Sequence, residues 1–469
     1  MENACLKNSL LWFALLAGLA GCSPFTADIQ PAEMLEMPPA YSQSGETSTG
    51  SDRWWQNFDS ADLNRLVDEA LADNLSLRQA WARLDQARAL SRQSASNRQP
   101  DLSLNAEQAT SRQRSNSVTS SSDSTSLGLT SSFEIDFWGR VAAEINSQQK
   151  EEQATREDLH TVAISLSAEV AERWLQLLTQ VEKQRVLTEQ LQTAQSYLVL
   201  VDLRFRKAQA TALDLLQQKE AIAALKTELP ALQAEEQRLR HELALLLGNN
   251  PQQPLELSRF ELPKLLPLPE LGLPAELLEQ RPDVRAAGLR LQEADWDLTV
   301  AEADRLPALR LTASATTSGD FNELFDNWLL NLAGNLTAPL LDGGQRTAEV
   351  ERRQAIIDER LAAYQETVLA AMREVEDALI TEQKLLEEQA ALKHQLQLAE
   401  QALNTAKNRY LKGLSDYLPV LIELQNVEQL QQTLLTQQRD LLTNRVALHR
   451  ALGGDWTEQL QPHLSEVER

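Results

Sequence analysis

The sequence predicts a mainly α protein with a transmembrane β part, in which one structural unit is built twice. Three observations carry this. The chain repeats itself: ALADNLSLRQA (70–80) lines up with LLEQRPDVRAA (277–287), and NRQPDLSL (97–104) with DRLPALRL (304–311), both at an offset of 207. Asp136-Phe137-Trp138-Gly139-Arg140 falls on Asp342-Gly343-Gly344-Gln345-Arg346 at 206. Arg204-Phe205 and Leu247-Gly248 fall on Arg409-Tyr410 and Leu452-Gly453 at 205. A drift of two residues over half a chain is what a duplication leaves. Short stretches in each half alternate apolar and polar residues, the period of a strand with two unlike faces. Long stretches in each half carry apolar residues at alternating spacings of three and four, the seam of paired helices.

Composition agrees with this and excludes some functions. Of 469 residues only 5% are aromatic and 16 are glycine, while Ala, Leu, Gln, Glu and Arg fill long runs, as in extended helices. The formal net charge is −24 and the pI about 4.7. Nucleic-acid binding needs clustered Lys and Arg against phosphate, so no nucleic-acid partner is expected. The spread acidity reads either as solvated helix faces or as an electronegative conduit with mild cation selectivity.

The first 21 residues read as a signal peptide. Lys7 precedes the apolar run Leu10-Leu11-Trp12-Phe13-Ala14-Leu15-Leu16-Ala17, which is too short to span a bilayer. The run ends in Leu19-Ala20-Gly21-Cys22, similar to a bacterial lipobox. That resemblance implies a thioether-linked diacylglycerol on Cys22, and Ser23 after it implies outer-membrane sorting. The alternative is an ordinary secretory signal with an incidental cysteine. Cys5 lies in the removed segment, so the mature chain has no disulfide partner.

Residues 22–59 carry prolines and the cluster SQSGETSTGSD (42–52), and are expected as an arm with little structure of its own. Trp54, Trp55 and Phe58 read as its anchor onto the helical body. A first repeat (60–255) opens with a helix from Ser60, an N-cap, to about Ser96, where Pro100 stops it. A β-hairpin over 100–138 follows. Leu102, Leu104 and Ala106 alternate with polar neighbours, a Ser-rich loop over 115–123 reverses the chain, and Leu127, Leu129, Phe133, Ile135 and Phe137 share one face. After a linker (256–273), the second repeat (274–456) has its hairpin over 307–341. There Leu309, Leu311, Ala313 and Ala315 lead to a loop containing Gly319-Asp320-Phe321-Asn322, then Leu330, Leu332, Leu336 and Leu340. A tail (457–469) ends the chain.

The four strands pose a problem. Each has one apolar face, and the sequence offers no second apolar sheet to cover it. Lipid would cover it, and strands in lipid must close into a barrel to satisfy their edges. Four strands are too few to close, so the barrel is expected to be shared between protomers. The alternative is a small β-subdomain packed on the helices.

Beyond each hairpin lies an antiparallel helical hairpin, 140–247 and 345–452. The outgoing arm of the first, counted to Lys207, is about 100 Å long at 1.5 Å per residue. Val170, Trp174, Leu177, Val181, Leu187, Leu191, Ala194, Leu198, Val201 and Phe205 form its seam. In the second return arm, Val427, Leu434, Leu441 and Leu448 recur every seven residues. The tips fall near 208–213 and 413–418.

These segments together resemble an outer membrane efflux factor of the TolC/OprM-like (NodT) lipoprotein family of tripartite RND-type efflux systems. The residues that carry the likeness are the lipobox at Cys22, DRWWQNFDSADLNRLVDEALADNLSLRQA (52–80), FEIDFWGR (133–140), LLEQRPDVRAA (277–287), LTAPLLDGGQR (336–346), RYLKGLSDYLPVL (409–421) and LGGDW (452–456). Their order, spacing and duplication are more specific than any one of them. The resemblance implies a homotrimer whose four strands per protomer make a twelve-stranded outer-membrane β-barrel, continued by an α-helical periplasmic tunnel. It implies no catalysis and no cofactor. It further implies a periplasmic adaptor (membrane fusion protein), an inner-membrane pump, and outer membrane lipid as partners.

By the same resemblance the second tip closes the periplasmic end. Leu418 matches a constriction residue, and Arg409 and Tyr410 match residues that latch the closed state. The family's acidic ring position is here Ile422; Glu423, one residue on, takes its place only if the helix is rotated. Lys207, Ala208, Gly413 and Ser415 fall at the tips that meet the adaptor. The bland reading is that Gly413 and Ser415 make an ordinary helix–helix turn with solvated charges. Trp138 and Trp328, at strand ends, suit an aromatic girdle at the membrane interface.

No enzyme site is visible. The five His residues (160, 241, 394, 449 and 463) are scattered, and His241-Glu242 lacks a second His four residues on. There is no CxxC, GxSxG or P-loop pattern, and Asp342-Gly343-Gly344 reads as a strand-to-helix turn. With 4 Met and 5 His, a soft-metal relay is not supported and no metal site is expected. The expected function is a passive duct for small molecules. The other readings are a poreless periplasmic coiled-coil lipoprotein, and ducts for metal ions or for type I protein export.

Overall fold

The computed structural model describes residues 27–31, 37–42, 47–48, 53–115, 118–258, 260–265, 267–269, 271–319 and 324–461. The signal peptide and Cys22 lie outside the described residues, as do parts of the N-terminal arm, of the linker and of the C-terminal tail. In chain order the elements are β1 (Thr47–Ser48), α1 (Ala61–Asp73), α2 (Leu75–Ala95), β2 (Asp101–Ser115), β3 (Val118–Ile135), α3 (Arg140–Arg206) and α4 (Ala212–Leu246). There follow β4 (Leu268–Pro269), α5 (Leu277–Gln280), α6 (Pro282–Ala303), β5 (Ala308–Gly319), β6 (Trp328–Thr337), α7 (Gln345–Leu411) and α8 (Leu418–Leu452).

The duplication is visible in the lengths. α3 and α7 each have 67 residues, and α4 and α8 each have 35. Both tips close alike. Gln209 N–H donates to the Arg204 carbonyl at 2.8 Å and Ala208 N–H to Phe205 at 2.9 Å. In the second tip Leu414 donates to Arg409 and Gly413 to Tyr410, both at 2.9 Å. This paired bonding needs a left-handed residue after the helix. The second tip uses Gly413 (φ +70°), whereas the first uses Ala208 (φ +57°).

Two sequence expectations are corrected. The helix expected over 60–96 is two helices, because the Asn74 carboxamide accepts from Ser76 N–H at 2.8 Å and Leu77 N–H at 3.0 Å, starting α2 afresh. Ser60 caps α1 as expected, accepting from Leu63 N–H at 3.2 Å. The Ser-rich stretch 115–123 is not a loop: β2 runs to Ser115 and β3 starts at Val118, with Thr110 opposite Asp123 and Ser111 opposite Ser122. Ser and Thr hold an antiparallel ladder through backbone bonds without needing an apolar face.

The chain divides into two compact units. One comprises 1–36, 83–156 and 285–366. It holds an antiparallel sheet in the order β2-β3-β5-β6. Its helical core is Leu291, Ala294 and Ile357, with Ile29 packed against them and Ile29 N–H bonded to the Asp295 carboxylate at 3.0 Å. The other comprises 37–82, 157–284 and 367–469. Its core gathers Trp54, Trp55, Leu63, Leu66, Trp174, Leu177, Leu243 and Trp456. Trp55 meets Trp456 edge-on at 4.8 Å and Trp54 stacks on His449 at 5.4 Å, so these aromatics pack in the core. In the same unit Arg445 and Glu382, both buried, form an ion pair, and Arg445 also donates to the Pro267 carbonyl at 2.6 Å.

Candidate functional site

The sheet has two unlike faces. Strand register aligns one face in rungs: Ile135–Leu309–Leu336, then Phe133–Leu311–Gly334, Leu102–Ser131–Ala313–Leu332, Leu104–Leu129–Ala315–Leu330 and Ala106–Leu127–Thr317–Trp328. Nothing in the described residues covers it. Leu102 is 72%, Leu332 80% and Trp328 77% exposed. Burying one such side chain is worth about 1.5–3 kcal/mol, so a face of this size in water would be a large penalty. The opposite face carries Thr130, Ser132, Glu134, Arg310 and Asn335. Arg310 stands across from Glu134 and donates to it at 3.2 Å. β2 and β6 end the sheet order and have no further strand beside them among the described residues.

Each hairpin passes into its long helix through the same device. Asp136 accepts from Val141 N–H at 3.2 Å and Ala142 N–H at 2.8 Å. Asp342 accepts from Gly344 N–H at 3.0 Å and Arg346 N–H at 3.2 Å. Those backbone bonds hold the Asp342 carboxyl below its usual range. Gly343 and Gly344 take φ of +65° and +90° there, as a strand-to-helix turn requires. Trp138 is half-buried at this end, its indole N–H donating to the Pro307 carbonyl at 2.8 Å. Trp328 stands at the other end of the apolar face.

At the hairpin tips the two repeats are tied together. The Arg204 guanidinium sits over the Tyr410 ring, 4.4 Å from its centroid, and donates to the Leu411 carbonyl at 3.3 Å. Tyr410 and Tyr417 pack ring to ring at 5.3 Å. The Tyr417 hydroxyl donates to Gln218 Oε1 at 2.5 Å, and Gln218 Nε2 donates to the Ala194 carbonyl at 2.7 Å. Burial pushes both phenols up, Arg204 opposing it at Tyr410, so both stay protonated. The Tyr410 hydroxyl is buried without a partner among the described residues, as is the Ser415 hydroxyl.

The residues singled out from sequence separate here. Tyr410 is buried in the cluster, but Arg409 is exposed and makes no ion pair among the described residues; its repeat mate Arg204 takes the tyrosine instead. Leu418 and Ile422, four apart on α8, are 45% and 52% exposed, whereas Glu423 is half-buried on another side. Lys207, Ala208 and Gly413 are exposed at the turns and Ser415 is half-buried. Sequence reasoning missed Arg204 as a tip residue, and Gln218 with it; Tyr417 lay within the tip segment 409–421 but was given no role. The offset pairing Arg204 with Arg409 was the signal for the first. Among the described residues no group of three His, Cys, Asp or Glu is placed to hold a metal ion, and no helix is long and apolar enough to cross a membrane.

The family model for outer membrane efflux proteins matches residues 66–249 and 273–454, once per repeat. The chain is 31% identical over 471 residues to the pyoverdine export outer membrane protein OpmQ of Pseudomonas aeruginosa, covering 97% of this chain and 98% of that one. It is 33% identical over 422 residues to the outer membrane protein OprJ of the same species, covering 86% of each. The solved outer-membrane channel OprN superimposes with a TM-score of 0.83 at 29% identity, over 93% of this chain and 98% of that one.

Proposed function

Because this chain belongs to the outer membrane efflux protein family and is an outer-membrane efflux channel, we propose that it works as a homotrimer passively conducting small molecules. Three four-stranded sheets join edge to edge, β6 of one copy beside β2 of the next, into a twelve-stranded barrel. The observation that carries this is the sheet itself: an exposed apolar face, a polar face and two open edges. The five apolar rungs span nine residues of β3, Leu127 to Ile135, or eight steps along the strand. That is about 27 Å along the strand and about 21 Å along the normal at a tilt of about 40°, close to the apolar band of an outer-membrane barrel. Cys22 supplies a diacylglycerol anchor, and Trp328 and Trp138 lie at the two interfaces.

The tips of α7 and α8 form the periplasmic gate. In a three-fold assembly Leu418 and Ile422 each make an apolar ring, which resists hydrated solutes. The half-buried Glu423 does not serve as the ring. Arg204, Tyr410 and Tyr417 hold the gate's helices in register. A periplasmic adaptor meets Lys207, Ala208, Gly413 and Ser415, and an inner-membrane pump supplies the substrate. The cargo is a small organic molecule, as pyoverdine is for the relative OpmQ.

The test is single-channel recording of the purified protein in planar bilayers. Leu418→Asp is expected to convert a mostly closed channel into a conducting one. Persistent silence of that variant, in a particle shown to be inserted, would favour a poreless spacer.

A further inference from the structure

We propose that the outward face of each sheet is a binding site for an acylated, phosphorylated oligosaccharide lipid of the outer leaflet, a proposal that rests on the sheet lying in the membrane as above. The apolar face is not flat near its upper edge. Ala315 and Thr317 on β5 lie between Leu127 and Leu129 of β3 and Leu330 and Trp328 of β6. With Phe325 beside them they leave an apolar cavity of about 320 Å³. An apolar groove of that size seats part of one acyl chain.

Above the Ala106–Leu127–Thr317–Trp328 rung the same face turns polar. It presents Gln108 and Thr125, then Thr110 and Asp123, then Arg112 and Ser121, then Arg114 and Thr119. Amide and hydroxyl groups of this kind suit sugar hydroxyls. Arg112 and Arg114 are exposed and make no ion pair among the described residues. With Asp123 one rung below, the face keeps a net positive charge there, and guanidinium groups on the membrane-facing side of a strand are forked donors for phosphate.

Distance selects the class of lipid. From Ala106 to Arg112 is six residues of β2, about 20 Å along the strand at about 3.4 Å per residue. At a tilt of about 40° this puts Arg112 about 15 Å beyond the apolar edge. A glycerophospholipid places its phosphate at that edge, too low for either arginine. A phosphorylated oligosaccharide head group reaches them while its acyl chain rests beside Ala315.

The trimer is extracted in mild detergent and examined by native mass spectrometry after addition of purified lipopolysaccharide or phosphatidylglycerol. The wild type is expected to retain lipopolysaccharide and to lose phosphatidylglycerol under the same wash. R112Q/R114Q and the cavity-filling Ala315→Leu, scored only as intact trimers, are each expected to lower retention at least tenfold. Leu336→Ala, on the same face at the other end, is expected to leave it unchanged. Equal retention of the two lipids by the wild type would overturn the proposal, as would undiminished retention in either variant. The reading beneath it is measured separately. A trimeric, conducting particle that holds no lipopolysaccharide defeats this site alone, whereas a monomeric, silent particle defeats the barrel.

Discussion

The guanidinium of Arg204 lies 4.4 Å from the centroid of the Tyr410 ring, and the two residues come from different copies of the duplicated unit. Arg204 ends α3 and Tyr410 ends α7, so the contact holds the first helical hairpin to the second at their tips. A partly desolvated cation over an aromatic face contributes about 1–2 kcal/mol. Arg204→Gln should therefore loosen the tip and raise the frequency of spontaneous openings about tenfold in single-channel records. Tyr410→Phe keeps the ring. It should leave Arg204 in place and the opening frequency unchanged, because the buried hydroxyl has no partner among the described residues to lose.

Leu418 and Ile422 make the apolar rings of the proposed gate. Replacing either with Asp puts three carboxylates on a ring. Like charges about 4 Å apart cost about 1 kcal/mol each pair in water, so three pairs favour the open state by roughly a hundredfold. Open probability measured with increasing salt checks the origin, because screening should reduce the effect. Glu423→Gln should do little. Reversal potentials under a salt gradient should show mild cation selectivity in the wild type.

Ala208 occupies a left-handed conformation that the repeat gives to Gly413. Ala208→Gly should relieve about 1 kcal/mol of strain, offset in part by the greater freedom of an unfolded glycine. The net result is a slight rise in Tm, while Gly413→Ala should lower it.

The buried pair Arg445–Glu382 should behave asymmetrically. Glu382→Ala takes the carboxylate from a buried Arg445 and should cost about 3–5 kcal/mol. Removing both with Arg445→Met and Glu382→Leu should recover most of the loss in thermal unfolding.

His449 makes stability depend on pH. Burial, and then the neighbouring Arg445, push its pKa down to about 4 from an ordinary 6.5. The unfolded chain then binds the proton more readily than the folded one. His449 contributes its full share above pH 6.5, and that share is lost as the pH falls toward 4. Glu428 runs the other way. Burial and Glu228 raise it to about 7, so it stabilises at low pH and destabilises as the pH rises through 7. His449→Gln should flatten the acid limb of the Tm profile, and Glu428→Gln the alkaline limb.

Much of this was legible in the sequence, for identifiable reasons. The long helices carried heptad seams, and the turn residues Gly413 and Asp342-Gly343-Gly344 marked their ends. The apolar rungs showed period two wherever exposed leucines alternate with polar residues. The upper parts of β2 and β3 did not, because both of their faces are polar and only backbone pairing holds them. The break at Asn74 was hidden by apolar periodicity that continues through it. At the tips, Gln218 and Tyr417 lie 199 residues apart, and one sequence gives no means of pairing them. The exposure of Arg409 and burial of Tyr410 depend on how α7 is rotated, which spacing alone does not fix.

The most direct test of the shared barrel is the number of chains in the particle extracted in mild detergent, measured by light scattering after size exclusion. Three chains are predicted, with Leu332 and Leu336 protected by detergent rather than by protein. A single chain with those leucines packed against its own helices would contradict the account.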